Sequence, residues 1–280
     1  MIVYRTKQDL TRHLKTLQDQ GKTVGLVPTM GALHEGHASL VRKAGEQNDV
    51  VVVSIFVNPA QFNDPSDLEN YPRPLEQDLE VLQSMQVSIA FTPSVKEMYP
   101  EEDHRTFDLG GLDQVLEGAF RAGHFTGVAR IVSKLFDLIR PARAYFGQKD
   151  FQQLVIIRRL VELLHMDIEI VSCPIIREKD GLAMSSRNTL LTDEERKAAP
   201  FIYQTLRLAR EKKGTMAPEE VRSWVFSRFR DQSLIHLEYF DIVEDKELVP
   251  VTDWNEPVNK VGCIAVHLGG VRLIDNLNFN

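Results

Sequence analysis

The sequence predicts an α/β protein: a doubly wound parallel sheet over residues 1–176, then a smaller α+β domain over residues 177–280. Three observations carry this reading. Short apolar runs alternate with amphipathic helical patterns over the first two-thirds of the chain, the order expected of repeated βα units. One run, Val50-Val51-Val52-Val53-Ser54-Ile55-Phe56-Val57, is apolar on both faces, as a central parallel strand covered on both sides must be. After Ile176 the order changes to two helices followed by neighbouring strand-like segments, the pattern of a small α+β unit.

Taken in order, Thr6-Lys7-Gln8-Asp9 resembles a capping box, and the helix that it opens should end at Gly21. Residues 24–27 read as a strand, 38–47 as a helix and 50–57 as the central strand. A helix over 75–85 and a strand over 88–91 follow. Residues 125–139 form an amphipathic helix with Val128, Ile131, Val132, Leu135, Phe136 and Ile139 on its apolar face. Then come a strand over 142–146, a helix over 151–164 and a strand over 168–171. In the second domain the helices span 193–213 and 218–230, split by Gly214, and the strands 235–243, 262–268 and 271–277. Ligands of a doubly wound sheet bind at the carboxyl ends of its strands, so the loops at those ends hold the candidate site.

The net charge of −7 argues against a general nucleic-acid-binding surface. Cys173 and Cys263 lack metal spacing and read as buried free thiols of a reducing compartment. No run approaches the roughly 18 apolar residues of a membrane span, and MIVYRTKQDL does not read as a signal peptide. A cytoplasmic protein without membrane partners is the expectation.

Four loops carry chemistry. Pro28-Thr29-Met30-Gly31-Ala32-Leu33-His34-Glu35-Gly36-His37 links a strand to a helix across two glycines. Such a turn can bring free N–H groups to anionic oxygens, and its histidines add donors. His37 and Ala38 stand where a phosphate loop needs Lys and Ser/Thr, and the histidines are not spaced as H-E-x-x-H. The alternative is an ordinary glycine-rich turn with surface or capping histidines. Asn58-Pro59-Ala60-Gln61-Phe62 follows the central strand, where amides can hold a polar substrate; it also fits a plain Asn-Pro turn. In Tyr145-Phe146-Gly147-Gln148-Lys149-Asp150-Phe151-Gln152-Gln153, Lys149 can reach a phosphate, and Asp150 can cap the helix or accept from a ribose. One of Gln152 and Gln153 should face the cleft. Asp180-Gly181-Leu182-Ala183-Met184-Ser185-Ser186-Arg187-Asn188 lies at the domain junction and suits a mobile clamp on a triphosphate, or a Ser-rich linker.

Together PTMGALHEGH, VSIFVNPAQF, YFGQKDFQQ and DGLAMSSRN, in this order, resemble the pantoate–β-alanine ligase family. That family belongs to the Rossmann-like HIGH/KMSKS nucleotidylyltransferases, which include class I aminoacyl-tRNA synthetases. The resemblance implies an ATP-dependent ligase that adenylates pantoate and passes the acyl group to β-alanine, with Mg2+, as a homodimer. It places ATP on Met30, Gly31, Ala32, Leu33, His34, Glu35, Gly36, His37, Gly147, Gln148, Lys149, Asp150, Ile176, Met184, Ser185, Ser186 and Arg187. His34, His37, Lys149 and Arg187 are its catalytic set, with His37 the candidate proton donor. Gln61, Gln153, Phe62 and Phe146 would hold pantoate, Gln61 and Asn58 β-alanine, and Arg121 lies at the periphery. Asp78 is a weak candidate for contact with magnesium. The domain over 177–280 would act as a lid carrying the Met-Ser-Ser-Arg loop. Gln148, Ala122, Thr126 and Arg130 stand where the family pattern has Glu, Pro, Arg and Thr. A related nucleotidylyltransferase acting on another small acid or phosphate is the second reading.

Overall fold

The computed structural model describes residues 1–280. Six strands, β1 (Ile2–Tyr4), β2 (Val24–Thr29), β3 (Val50–Ile55), β4 (Ile89–Phe91), β5 (Arg143–Gly147) and β6 (Glu169–Cys173), form one parallel sheet in the order β1-β4-β3-β2-β5-β6. The chain steps outward from β2 through β3 and β4, then crosses back to β5 on the other side of β2. Such a reversal of direction opens a crevice at the carboxyl ends of β2 and β5.

Helices α1 (Lys7–Asp19), α2 (Glu35–Gln47), α3 (Pro65–Asn70), α4 (Leu75–Ser84), α5 (Val95–Met98), α6 (Glu117–Phe120), α7 (His124–Ile139) and α8 (Phe151–Leu163) accompany this sheet. Alternation along β3 explains its unbroken apolar run. Val50 and Val52 pack with α1, α7 and α8 in one core, and Val51, Val53 and Ile55 with α2 and Leu82 of α4 in another. Both faces of the sheet are covered, as predicted.

The C-terminal part holds α9 (Asp193–Ala198), α10 (Phe201–Glu211) and α11 (Pro218–Arg230). They are followed by an antiparallel sheet, β7 (Ile235–Glu244), β8 (Lys260–Leu268) and β9 (Val271–Asn278), in that order. Its core joins Ile202 and Leu206 of α10 and Val221 and Val225 of α11 to Ile264 and Val266 of β8. A further cluster bridges the two sheets, packing Val155 and Ile156 of α8 against Tyr239, Val261 and Cys263.

The helix predicted over 193–213 is two helices, because Pro200 supplies no N–H to continue the ladder. The helix predicted from Ala38 starts three residues earlier, at Glu35, because His34 caps it. The strand β1 and the short helices α3, α5 and α6 escape prediction, being too short to show a period. Cys173 and Cys263 are buried and unpaired, as expected.

Candidate active site

Beyond Thr29 the chain turns through Met30–Leu33 into α2. Asp78 of α4 is buried under this turn; its Oδ2 accepts the Ala32 N–H at 2.9 Å and its Oδ1 the Leu33 N–H at 2.7 Å. Gly31 has φ +82°, and a Cβ there would lie 2.8 Å from Asp78 Oδ2, so the carboxylate reaches the turn only past glycine. Asp78 thus faces the backbone of the turn and is not part of the cavity wall, so the geometry lends its expected contact with magnesium no support. Each of its oxygens accepts one backbone N–H, and no cluster of three His, Cys, Asp or Glu side chains is arranged to hold a metal.

Most amides of this turn are already bonded within the protein. Gly31 N–H donates to Thr29 Oγ1 at 3.2 Å, Gly36 N–H to His34 Nδ1 at 3.1 Å and His34 N–H to His37 Nδ1 at 3.3 Å. With those of Ala32 and Leu33, these N–H groups are spent inside the protein, and of the expected oxyanion cradle the N–H groups of Met30 and Glu35 are left without an acceptor. Beside them the turn presents imidazole. Each Nδ1 accepts, so each neutral ring carries its proton on Nε2. The rings lie 4.1 Å apart between centroids. Burial, then the charge of Lys149, lowers the His34 pKa to about 4; burial, then His34 and Lys149, lowers that of His37 to about 3. Both are uncharged donors at neutral pH.

After β3, Asn58 caps the short turn Pro59–Gln61. Its Nδ2 donates to Gln61 Oε1 and to the Gly127 carbonyl, both at 3.1 Å, and its Oδ1 accepts from Ala60 N–H at 3.3 Å and Tyr99 O–H at 2.8 Å. An amide has two donors and two acceptor sites, and all four are used. The contact of Asn58 with β-alanine that the resemblance implies therefore requires one of these bonds to be exchanged. The effect of Asn58 is on Gln61, whose Oε1 is held and whose Nε2 is turned to Met30 Sδ, 3.2 Å away, and the cavity. The loop packs directly on α7, and a Cβ on Gly127 would fall 2.1 Å from the Ala60 carbonyl oxygen.

After β5, Gly147–Asp150 turns into α8. Lys149 Nζ lies 3.7 Å from Asp150 Oδ1. Asp150 makes no capping hydrogen bond with its side chain, so the capping reading fails and its carboxylate stays available. Of the two glutamines, Gln153 faces the cavity. Gln152 is buried, accepting from Glu117 N–H at 2.9 Å and donating to the Leu112 and Val115 carbonyls at 2.7 Å. The Lys149 turn is braced from the C-terminal sheet by Asn276 of β9, whose Nδ2 donates to the carbonyls of Gln148 at 2.8 Å and Lys149 at 2.9 Å.

The Met-Ser-Ser-Arg loop closes the site. Met184 N–H donates to the Ile176 carbonyl at 3.0 Å, and Ser185 Oγ accepts from Arg187 N–H at 3.3 Å. Arg177, at the start of this loop, is gripped by Asp275 of β9 at 2.6 and 2.9 Å.

These loops meet around one cavity of about 210 Å3 at the crevice. Of the predicted residues, Met30, His34, Gly36, His37, Asn58, Gln61, Phe146, Gly147, Lys149, Asp150, Gln153, Ile176 and Met184 through Arg187 line it. Gly31, Ala32, Leu33, Glu35, Gln148 and Arg121 do not; the first three shape the turn. Phe62 is also set apart from the wall, its ring packing edge-on against Tyr71 at 5.7 Å. The apolar wall comes instead from Pro28, Phe56, Phe146 and the stripe Val128, Ile131, Val132 and Leu135 of α7. Sequence reasoning also missed Tyr71, Asp67, Tyr99, His124 and Asn276. Only the last had a signal, a buried polar pair in the otherwise alternating strand VRLIDNLN.

Comparison with known proteins agrees in one direction. The family model for pantoate-beta-alanine ligase matches residues 2–278. The chain is 53% identical to pantothenate synthetase of Bacteroides fragilis, over all of this chain and 99% of that one. Among solved structures, pantothenate synthetase from Thermus thermophilus superposes with a TM-score of 0.93 at 42% identity, covering 100% of this chain and 99% of that one. The pantoate-beta-alanine ligase of Francisella tularensis, solved with beta-gamma ATP and beta-alanine, matches with a TM-score of 0.80 at 35% identity, over 100% and 98% of the two chains.

Proposed function

The chain belongs to the pantoate–β-alanine ligase family, and we propose that its cavity forms pantothenate in two steps through a bound pantoyl adenylate. The observation that carries the reading is the junction of two chemistries in one cavity. An apolar pocket with the amides of Gln61 and Gln153 adjoins a cluster of His34, His37, Lys149 and Arg187. The first suits a small branched hydroxy acid, the second a polyphosphate.

In the first step a carboxylate oxygen of pantoate attacks the α-phosphorus of ATP. The new P–O bond replaces the bond to the β-phosphate, and pyrophosphate leaves. Lys149 and Arg187 neutralise charge on the phosphates, and the Nε2–H groups of His34 and His37 donate to their oxygens, so catalysis rests on positioning and charge stabilisation. In the second step the β-alanine amine attacks the acyl carbon, AMP leaves, and the amine proton passes to solvent. Asp150 is the acceptor proposed for the ribose hydroxyls. It is also the only carboxylate on the cavity wall. One half-exposed carboxylate is no cage for a resident magnesium ion, which would arrive with the nucleotide's own oxygens as ligands; no step is drawn through it. A cytoplasmic homodimer completes the proposal on family grounds, and no helix is long and apolar enough to cross a membrane.

The decisive test is pyrophosphate release from ATP with pantoate, with and without β-alanine. A bound adenylate and one burst of pyrophosphate are expected without β-alanine, and AMP turnover only with it. Equal AMP production in both would overturn the mechanism.

A further inference from the structure

Gln61 is held by its main chain as well as by Asn58, and the main-chain partner is His124. His124 Nδ1 lies 2.7 Å from the Gln61 carbonyl oxygen, and Arg121 Nη1 lies 3.3 Å from His124 Nε2. A carbonyl only accepts and a guanidinium only donates. Both contacts are hydrogen bonds in one ring state alone: neutral, with the proton on Nδ1 and the lone pair on Nε2. Burial, then the Arg121 charge, lowers the pKa of His124 to about 4, so that state persists at neutral pH. The ring is buried and packed edge-on against Phe125, with centroids 4.8 Å apart. Arg121 follows α6, and Glu117 of α6 is clamped by Arg272 of β9 at 2.6 and 2.7 Å and by Tyr239 O–H of β7 at 2.8 Å. A continuous set of contacts thus runs from the C-terminal sheet to the acid pocket.

We propose that His124, in the Nδ1–H form imposed by Arg121, is a positioning residue for the acid substrate, fixing Gln61 through its carbonyl so that the Gln61 amide faces the cavity. The inference rests on the proposed role of Gln61 in binding pantoate.

The test compares His124→Asn with His124→Gln in the pyrophosphate-release assay, with thermal unfolding of each. Asn places an amide donor near the former Nδ1, whereas Gln places its amide near Nε2. His124→Asn should keep the KM for pantoate within about twofold. His124→Gln should raise it about tenfold, the loss of one net hydrogen bond, with the KM for ATP steady in both. Equal effects of the two variants, or a parallel rise in the KM for ATP, overturn the proposal, because a packing role treats both alike. Should both variants unfold, Arg121→Met removes the donor that sets the tautomer and leaves the ring in place. A several-fold rise in pantoate KM then supports the proposal, and no change overturns it. Gln61→Ala separates the two layers: an unchanged pantoate KM there removes the pocket assignment itself. A raised KM there, with an indifferent His124→Gln, removes His124 alone.

Discussion

Arg187 donates through Nη2 to both carboxylate oxygens of Asp67, at 3.0 and 2.9 Å. Its guanidinium also lies 5.4 Å from the centroid of the Tyr71 ring, and the Tyr71 hydroxyl sits 3.3 Å from Ser186 Oγ. The arginine proposed for the polyphosphate is thus docked on α3 and its flank, across the mouth of the cavity, and ATP must compete with Asp67 for it. Both side chains are partly exposed, so the pair is worth about 1 kcal/mol or less. Asp67→Asn should lower the KM for ATP by about two- to fivefold and leave that for pantoate unchanged in steady-state kinetics. A higher KM for ATP would mean that Asp67 instead orients Arg187 for the nucleotide.

His37 spends its Nδ1 on the His34 N–H and can meet a phosphate oxygen only through Nε2–H. His37→Ala should reduce the rate of adenylate formation by about 10²–10³, the cost of one transition-state donor. His37→Gln can restore an N–H near the Nε2 position and should recover part of that loss, whereas His37→Asn should not. Single-turnover pyrophosphate release distinguishes the three, and a near-native rate for His37→Ala would leave the residue with a purely structural role.

The parts of the site that were legible are those written within one strand–turn–helix unit. Glycines, a Lys-Asp pair and two histidines at strand ends announce themselves because turn chemistry is local. What crosses between units was not legible. Asp78 sits among acids on α4, and only its burial beneath Ala32 and Leu33 sets it apart from a solvated neighbour. Val128, Ile131, Val132 and Leu135 keep the spacing of a core stripe whether they meet a sheet or a substrate. Asn58 reads as a site amide from its place at a strand end, but the use of its four hydrogen-bonding positions depends on Tyr99 and Gly127, both distant in sequence.

Asn276 ties the last strand to the phosphate-binding turn through the Gln148 and Lys149 carbonyls. Asn276→Ala removes both donors and leaves two carbonyls to water or to nothing. The Lys149 turn should loosen, raising the KM for ATP and lowering kcat by about tenfold together, with a much smaller effect on pantoate affinity. Isothermal titration with a non-hydrolysable ATP analogue and with pantoate separates these effects; equal weakening of both ligands would show that β9 supports the whole cavity.

Acid should unfold this protein earlier than its carboxylates alone require. His34, His37 and His124 have pKa values near 4, 3 and 4 in the folded chain against about 6.5 when unfolded. Below pH 6.5 the unfolded chain therefore binds protons that the folded one refuses. Their contribution to stability is complete above that pH, is lost as pH falls towards 4, and stops changing below the folded values. Each adds a slope of up to about 1.4 kcal/mol per pH unit. Burial of Asp78 and Asp275 raises their pKa and opposes the trend, because the folded state then takes up protons more readily. Urea unfolding between pH 5 and 7.5 should show the steep fall. His124→Asn, which keeps the donor to Gln61 but cannot titrate, should flatten it by about one proton's worth. An unchanged slope in that variant would mean that His124 protonates in the folded state as readily as in the unfolded one, and that Arg121 does not hold it neutral.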